Sequence, residues 1–221
     1  MRFLELFLHL FWPSSCPLCG RLGVVACPEC LDSIVETVMP CCLFCFQTLP
    51  CSVHGSDAPF LVYGAAHRGA AKVLVHSLKY EGKKVLGRRM GEALARKTAL
   101  PARIDFLLPV PLHRSSERPY NQALEIARGI SGIRNWPVMD ALQWNIGGKR
   151  QVEKTAEERK SLPEGALLFS GKHGSLKGKR VLLVDDVSTT GTTLRRCVDA
   201  IRQSGAKAVG AVVWTRVPER Q

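Results

Sequence analysis

A chain of 221 residues, 23% charged and 46% hydrophobic, has the balance of an ordinary globular protein with room for one medium domain, or one small and one medium. No apolar run approaches the ~18 residues that cross a membrane, so no membrane span is expected. The formal net charge of +12 is unevenly spread: residues 1–57 carry Arg2 and Arg21 against Glu5, Glu29, Asp32, Glu36 and Asp57, net −3, which leaves +15 on the remainder. A basic body of that size attracts phosphate-bearing partners, nucleotides or nucleic acid among them, although a solvated basic surface has the same composition.

The first stretch, Met1 to Trp12, is the most apolar. It contains Glu5 and His9 and stops at Pro13; its only basic residue is Arg2, and no small-residue cleavage site follows. It is expected to form an amphipathic helix that packs on the rest of the protein. Without an export signal the chain is expected to be cytoplasmic, where cysteines serve metals more often than disulfides.

Eight of the nine cysteines lie between Cys16 and Cys51. Cys16-x2-Cys19, Cys27-x2-Cys30 and Cys42-x2-Cys45 each set two sulfurs on one tight turn, and Cys51-x2-His54 repeats the spacing with an imidazole. Tetrahedral Zn2+ requires four such ligands per site. Pairing by sequence order gives Cys16, Cys19, Cys27 and Cys30 for one site and Cys42, Cys45, Cys51 and His54 for another. An interleaved arrangement has compatible spacing, and Cys41 can replace Cys42 or stand as a spare thiol. Both sites read as structural, since protein atoms fill every position. Residues 1–57 are too few to bury a self-sufficient core and need such support.

From residue 58 onward the pattern changes. Ala71–Lys97 carries apolar residues at three-to-four spacing, broken at Glu81–Gly82, and predicts helix. Ile104–Val110 reads as a buried strand, Gln122–Ile130 as a helix, Arg180–Val184 as a buried strand, Thr192–Ser204 as a helix and Ala208–Trp214 as a further strand. Buried strands separated by helices imply an α/β fold with a parallel sheet covered on both faces. Between Gly147 and Gly165 the pattern lapses into charge, as in a mobile loop or an exposed helix.

The most informative stretch is Val181-Leu-Leu-Val-Asp-Asp-Val-Ser-Thr-Thr-Gly-Thr-Thr193. A buried strand delivers two carboxylates, and a turn of small hydroxyl residues with Gly191 then opens a helix. Ligands of open α/β sheets bind at the carboxyl ends of strands, and a helix N-terminus with free N–H groups is an anion site. Asp185 and Asp186 can accept hydrogen bonds from vicinal ribose hydroxyls or reach a magnesium ion. The lysine-containing G-x-x-x-x-G-K-[ST] loop is absent, so a sugar monophosphate suits the site better than a triphosphate.

This stretch resembles the phosphoribosyl pyrophosphate (PRPP) motif of type I phosphoribosyltransferases. The resemblance implies that Asp185 and Asp186 hold the ribose, with Mg2+ accompanying PRPP, and take part in any catalysis there. It implies that Ser188, Thr189, Thr190, Gly191 and Thr192 hold the 5′-phosphate. Joined to the cysteine pairs, it resembles the ComF family of competence proteins along nearly the whole chain. Cys16-Pro-Leu-Cys-Gly20, Val75-His-Ser-Leu-Lys-Tyr80, Leu108-Pro-Val-Pro-Leu-His-Arg114 and Arg118-Pro-Tyr-Asn-Gln122 carry that likeness, with Pro119 and Tyr120 where the family usually has Gly-Phe. It implies a zinc-ribbon-like module over 1–57 and a phosphoribosyltransferase-like domain over 58–221. It also implies pyrophosphate contacts from His113 and Arg114, and a closing loop bearing Lys149, Arg150 and Lys154. Three functions compete: a PRPP-binding accessory factor for DNA uptake and single-stranded DNA handling, an active phosphoribosyltransferase on an unknown acceptor, and an adaptor whose zinc module docks proteins of the uptake machinery. Trp136, Trp144, Trp214 and Tyr120 can stack on bases but more often fill cores.

Overall fold

The computed structural model describes residues 14–36, 38–113, 115–145, 165–171 and 174–218. In chain order the elements are α1 (Pro28–Asp32), β1 (Cys41–Cys42), β2 (Phe60–Ala66), α2 (Gly69–Tyr80), α3 (Lys84–Lys97), β3 (Phe106–Pro109), α4 (Gln122–Arg134), β4 (Leu142–Trp144), β5 (Leu167–Phe169), β6 (Arg180–Ser188), α5 (Thr192–Gln203) and β7 (Ala208–Arg216). The main sheet has the order β1-β2-β7-β6-β3, and β4 pairs with β5 apart from it. Strands β2, β7, β6 and β3 are mutually parallel. Strand β1 adds to the β2 edge antiparallel, with Cys41 opposite Leu61.

Alternation along the strands sorts the core into two layers. Leu107, Leu182, Val184, Val212 and Trp214 pack with Leu74, Leu78, Met90, Leu94 and Ile126 of α2, α3 and α4. Their strand neighbours Leu108, Val181, Leu183, Ala211 and Val213 pack with Leu194, Cys197, Val198 and Ile201 of α5. The cysteine-rich segment divides between the same layers. Ala26, Leu31 and Val35 join the α2–α4 side, whereas Cys41 and Leu43 join the α5 side. The α/β architecture with a parallel sheet and a cysteine-rich N-terminal module is therefore present.

The break expected at Glu81–Gly82 separates α2 from α3, with Gly82 at φ 66°. Strand β2 falls where the sequence pattern assigns no element, and its last three residues, Gly64, Ala65 and Ala66, are small. Gly64 must be small: a Cβ there would lie 2.8 Å from Leu94 Cδ2 and 2.9 Å from the Trp214 carbonyl. Three of the four tryptophan and tyrosine candidates for stacking are core: Trp214, Trp136 and Tyr120 are buried. The N-terminal stretch Met1 to Trp12 lies outside the described residues, as does most of the charged segment between Gly147 and Gly165. Among the described residues no helix is long and apolar enough to cross a membrane.

Helices α3 and α4 cross in near backbone contact. A Cβ on Gly91 would lie 2.0 Å from the Ile126 carbonyl, and one on Gly129 would lie 2.0 Å from the Arg88 carbonyl. Alanine is the better helix former by about 1 kcal/mol, but here it meets backbone that cannot yield without parting the helices. Gly129→Ala is therefore expected to destabilise by about 1–3 kcal/mol. Thermal unfolding checks this, with Tm falling by about 2–4 °C per kcal/mol.

Candidate functional site

Strand β6 is the origin of the site. Its apolar run is held between β7 and β3, and its last residues extend beyond the end of β3, whose Pro109 pairs with Val184. Asp185 and Asp186 are thus the first residues free of the β3 neighbour, and alternation turns them to opposite faces. Asp186, 7% exposed, turns toward the α2 layer, where Lys79 Nζ lies 3.2 Å from its Oδ1. Asp185 turns toward α5 and accepts the Asp186 N–H at 2.8 Å. Burial, and then the neighbouring Asp186 charge, push the Asp185 carboxyl up to about 8.

After β6 the chain turns through Thr189, Thr190 and Gly191, which is in the left-handed region at φ 75° and is the N-cap of α5. The N-cap glycine has no side chain to cap this helix, and the Thr190 hydroxyl accepts the Thr192 N–H at a long 3.5 Å, so the first-turn N–H groups face the turn with the positive end of the helix dipole behind them. The Thr190 and Thr192 hydroxyls are 2.8 Å apart and line the same space. Together with the C-terminal end of β3 and the start of α4 they enclose a cleft of about 360 Å³. Asp185, Asp186, Thr190, Thr192, Thr193 and His113 all line it.

Three residues expected on the phosphate do not line that cleft. Ser188 is 2% exposed, and its Oγ has no hydrogen-bond partner among the described residues. Gly191 faces Phe46, and Thr189 is exposed outside the lining. Arg114, Lys149, Arg150 and Lys154 lie outside the described residues. The strands that flank the charged segment, β4 and β5, pair with each other, and Trp144 at the end of β4 lines the cleft. Its indole meets His113 edge-on at 4.9 Å.

Arg118 and Gln122 also line the cleft, in a segment whose role the sequence left unassigned. Asn121 donates from Nδ2 to the Val110 carbonyl at 2.9 Å and accepts the Ala123 N–H at 3.0 Å, so one side chain caps α4 and ties it to β3. The buried Tyr120 hydroxyl donates to the Leu78 carbonyl. These anchors bring Arg118 beside the acids, where it bonds Gln122 Oε1 at 3.3 Å.

The cysteines gather into two clusters. The ligand atoms of Cys16, Cys19, Cys27 and Cys30 lie within 4.8 Å of one another, and so do those of Cys42, Cys45, Cys51 and His54. Sequential pairing is the arrangement seen, with Cys42 rather than Cys41 in the second cluster. The Cys41 thiol instead donates to the Leu61 carbonyl at 3.6 Å, and burial raises its pKa. Sulfurs of Cys19 and Cys27 are 3.6 Å apart, and those of Cys45 and Cys51 are 3.4 Å apart. A tetrahedron of Zn–S bonds of about 2.3 Å has edges of about 3.8 Å, so both clusters are compatible with zinc.

Charge within the clusters is unevenly shared. Burial opposes ionisation of Cys16, yet hydrogen bonds from the backbone of Cys27, Cys19 and Leu18 bring it down to about 6. Burial and the Cys19 thiol push Cys27 up to about 12. A first thiolate forms readily and later ones are resisted, and that resistance is what a divalent cation relieves.

Comparison with known proteins follows the same division. Residues 144–221 match the family model described as phosphoribosyl transferase domain. Over 192 residues the chain is 26% identical to the competence protein ComFC of Streptococcus pneumoniae, covering 86% of this chain and 80% of that one. The chain is thus similar to a ComFC competence protein along most of its length. Its likeness to ComFC of Bacillus subtilis is 31% identity over 104 residues, 46% of this chain and 40% of that one. An amidophosphoribosyltransferase of Methanothermobacter thermautotrophicus is 33% identical over 121 residues, and the matched part spans 54% of this chain but 23% of that enzyme. Among solved structures, the glutamine PRPP amidotransferase from B. subtilis complexed with ADP and GMP overlaps 57% of this chain and 25% of that one, at 27% identity and a TM-score of 0.40.

The Asp185 carboxyl gives the fold a measurable pH dependence. With its ordinary value of 3.8 raised to about 8, the folded chain holds one more proton than the unfolded chain between those values. The stability contributed is complete below the lower value and lost as pH rises through the upper one. Asp185→Asn keeps a neutral group throughout. Its stability relative to the unsubstituted chain is expected to grow from about pH 4 to about pH 8 and to level off above, as read by urea unfolding at intervals of pH.

Proposed function

We propose that this chain is a ComF-family protein that binds PRPP, or a closely related ribose 5-phosphate ligand, together with Mg2+ in the cleft at the end of β6. The observation that carries the reading is the meeting of two carboxylates, two threonine hydroxyls and a helix N-terminus that starts at a glycine around one space. Carboxylates accept from the 2′- and 3′-hydroxyls and can reach the cation. The N–H groups and hydroxyls of Thr192 and Thr190 favour the 5′-phosphate. Support for PRPP over another sugar phosphate comes from the phosphoribosyl transferase family model over residues 144–221. His113 and Arg118 stand on the far wall of the cleft, where a pyrophosphate would need cationic and hydrogen-bonding partners. In this reading the phosphoribosyltransferase-like domain runs over 58–221. The cysteine-rich module over 1–57 holds structural zinc.

The proposed role is accessory to DNA uptake and single-stranded DNA handling, in the cytoplasm. Two observations support it: a relative matched over 86% of the chain is a competence protein, and residues 58–221 carry the whole positive excess. Active transfer of ribose 5-phosphate to an acceptor is the second reading, favoured by the presence of both acids in the cleft. An adaptor role for the zinc module is a third.

Titration of PRPP with Mg2+ by calorimetry is expected to show binding that Asp185→Asn/Asp186→Asn abolishes, and equal affinity of the two proteins would refute the site. Adding single-stranded DNA to the same titration separates the roles. Weak DNA binding that falls steeply with salt supports the accessory reading, whereas rapid pyrophosphate release with a free base establishes the transferase. Metal analysis is expected to give two zinc ions per chain. Cys42→Ser should lose one of them, and Cys41→Ser should keep both.

A further inference from the structure

The loop between Cys42 and Cys45 does more than close the second cluster. The Phe46 N–H donates to the Cys42 carbonyl at 2.8 Å, and Phe46 itself sits in the left-handed region at φ 58°. Closure of the cysteine turn and placement of the Phe46 ring are therefore one geometric event. The ring tip lies 3.2 Å from where a Cβ on Gly191 would be, with the Leu43 carbonyl at 3.7 Å from the same point. Gly191 is thus the seat of Phe46 as well as the bend that starts α5.

Both ends of the phosphate loop are tied to the same turn. At one end Arg216, in register with Ser188, lays its guanidinium 4.0 Å from the centre of the Phe46 ring. At the other end Arg195 donates its backbone N–H to the Gly191 carbonyl at 2.9 Å and its Nη2 to the Phe44 carbonyl at 2.6 Å. The first cluster lies elsewhere: its helix α1 meets α3 through Asp32 and Arg96 at 2.8 Å, across the sheet from α5. Of the two clusters, the second is the one built against the loop.

We propose that Phe46 is a positioning residue for the phosphate loop, and that metal in the Cys42/Cys45/Cys51/His54 cluster and ribose phosphate in the cleft strengthen each other's binding through it. The proposal rests on the ribose-phosphate reading of the cleft. Metal ligation fixes a turn that thiols alone hold weakly. The fixed turn sets Phe46 and the Phe44 carbonyl, and these preorganise the Thr189–Thr193 segment that must receive the phosphate. Linkage is reciprocal, so the factor by which metal improves ribose-phosphate affinity is the factor by which ribose phosphate improves metal affinity.

The test uses the full-length zinc-loaded chain and a chromophoric chelator, with and without saturating PRPP and Mg2+. PRPP is expected to tighten one zinc about tenfold, within the usual range of linkage between sites, and to leave the other unchanged. Phe46→Gly suits the positive φ and removes the ring. It is expected to keep both zinc ions, to bind PRPP about tenfold more weakly and to abolish the linkage. Identical zinc affinities with and without bound PRPP would overturn the proposal, as would unchanged PRPP affinity in F46G. Should F46G fail to fold, the chelator titration of the unsubstituted chain decides alone. If that chain binds no PRPP, the ribose-phosphate reading fails separately, and amide exchange over Thr189–Thr193 then decides. Faster exchange after loss of the second zinc supports the brace, and unchanged exchange removes it.

Discussion

The burial of β6 between two parallel neighbours is the constraint on which the rest of the structure depends. Val181 to Val184 are 1% exposed or less, and every backbone group in that run is committed to β7 or β3. A strand so thoroughly held cannot slip, because a shift of one residue would send Asp185 to the face that Asp186 occupies. The apolar run therefore does chemical work at a distance: it fixes which acid meets Lys79 at 3.2 Å and which one turns toward α5. That separation underlies the different environments of two adjacent and chemically identical side chains.

Position in the sheet also explains the composition of the site. The acids come from a strand, the hydroxyls from the first turn of the following helix, and the opposite wall from the end of β3 and the cap of α4. Each contributor leaves a buried element within a few residues, so little backbone entropy remains to be lost when a ligand arrives. Asn121 exemplifies the economy of the far wall, since one amide both caps α4 and reaches the carbonyl of Val110.

Much of this was legible in the sequence where the signal is local. The run from Val181 to Thr193 carries strand, acids, turn and helix start in thirteen consecutive positions, and the cysteine pairs announce their spacing directly. What escaped was set by contacts between distant positions. Strand β2 was missed because Gly64 is small to admit Trp214 and Leu94, which no window around residue 64 contains. Strands β4 and β5 have three residues each, too few to show a period. Gly191 was assigned to the ligand because a glycine beside threonines suggests close approach of a phosphate. The group that approaches it in the fold is Phe46, 145 positions earlier. Cys42 was placed in the second cluster by its spacing from Cys45, as found, while the direction of the two-residue strand is what sets aside the alternative Cys41.

That two-residue strand has a further consequence. A parallel sheet ending at β2 would present a row of open N–H and C=O groups, the kind of edge that recruits other chains. Cys41 and Cys42 cover part of it by pairing antiparallel with Leu61 and Phe60, and Cys42 is also a member of a metal-compatible cluster. Protection of the main sheet is thereby tied to the integrity of a small segment that precedes β2. Conditions that strip or oxidise the cysteines would expose a sticky border, so self-association is a hazard for any truncated form that begins at β2.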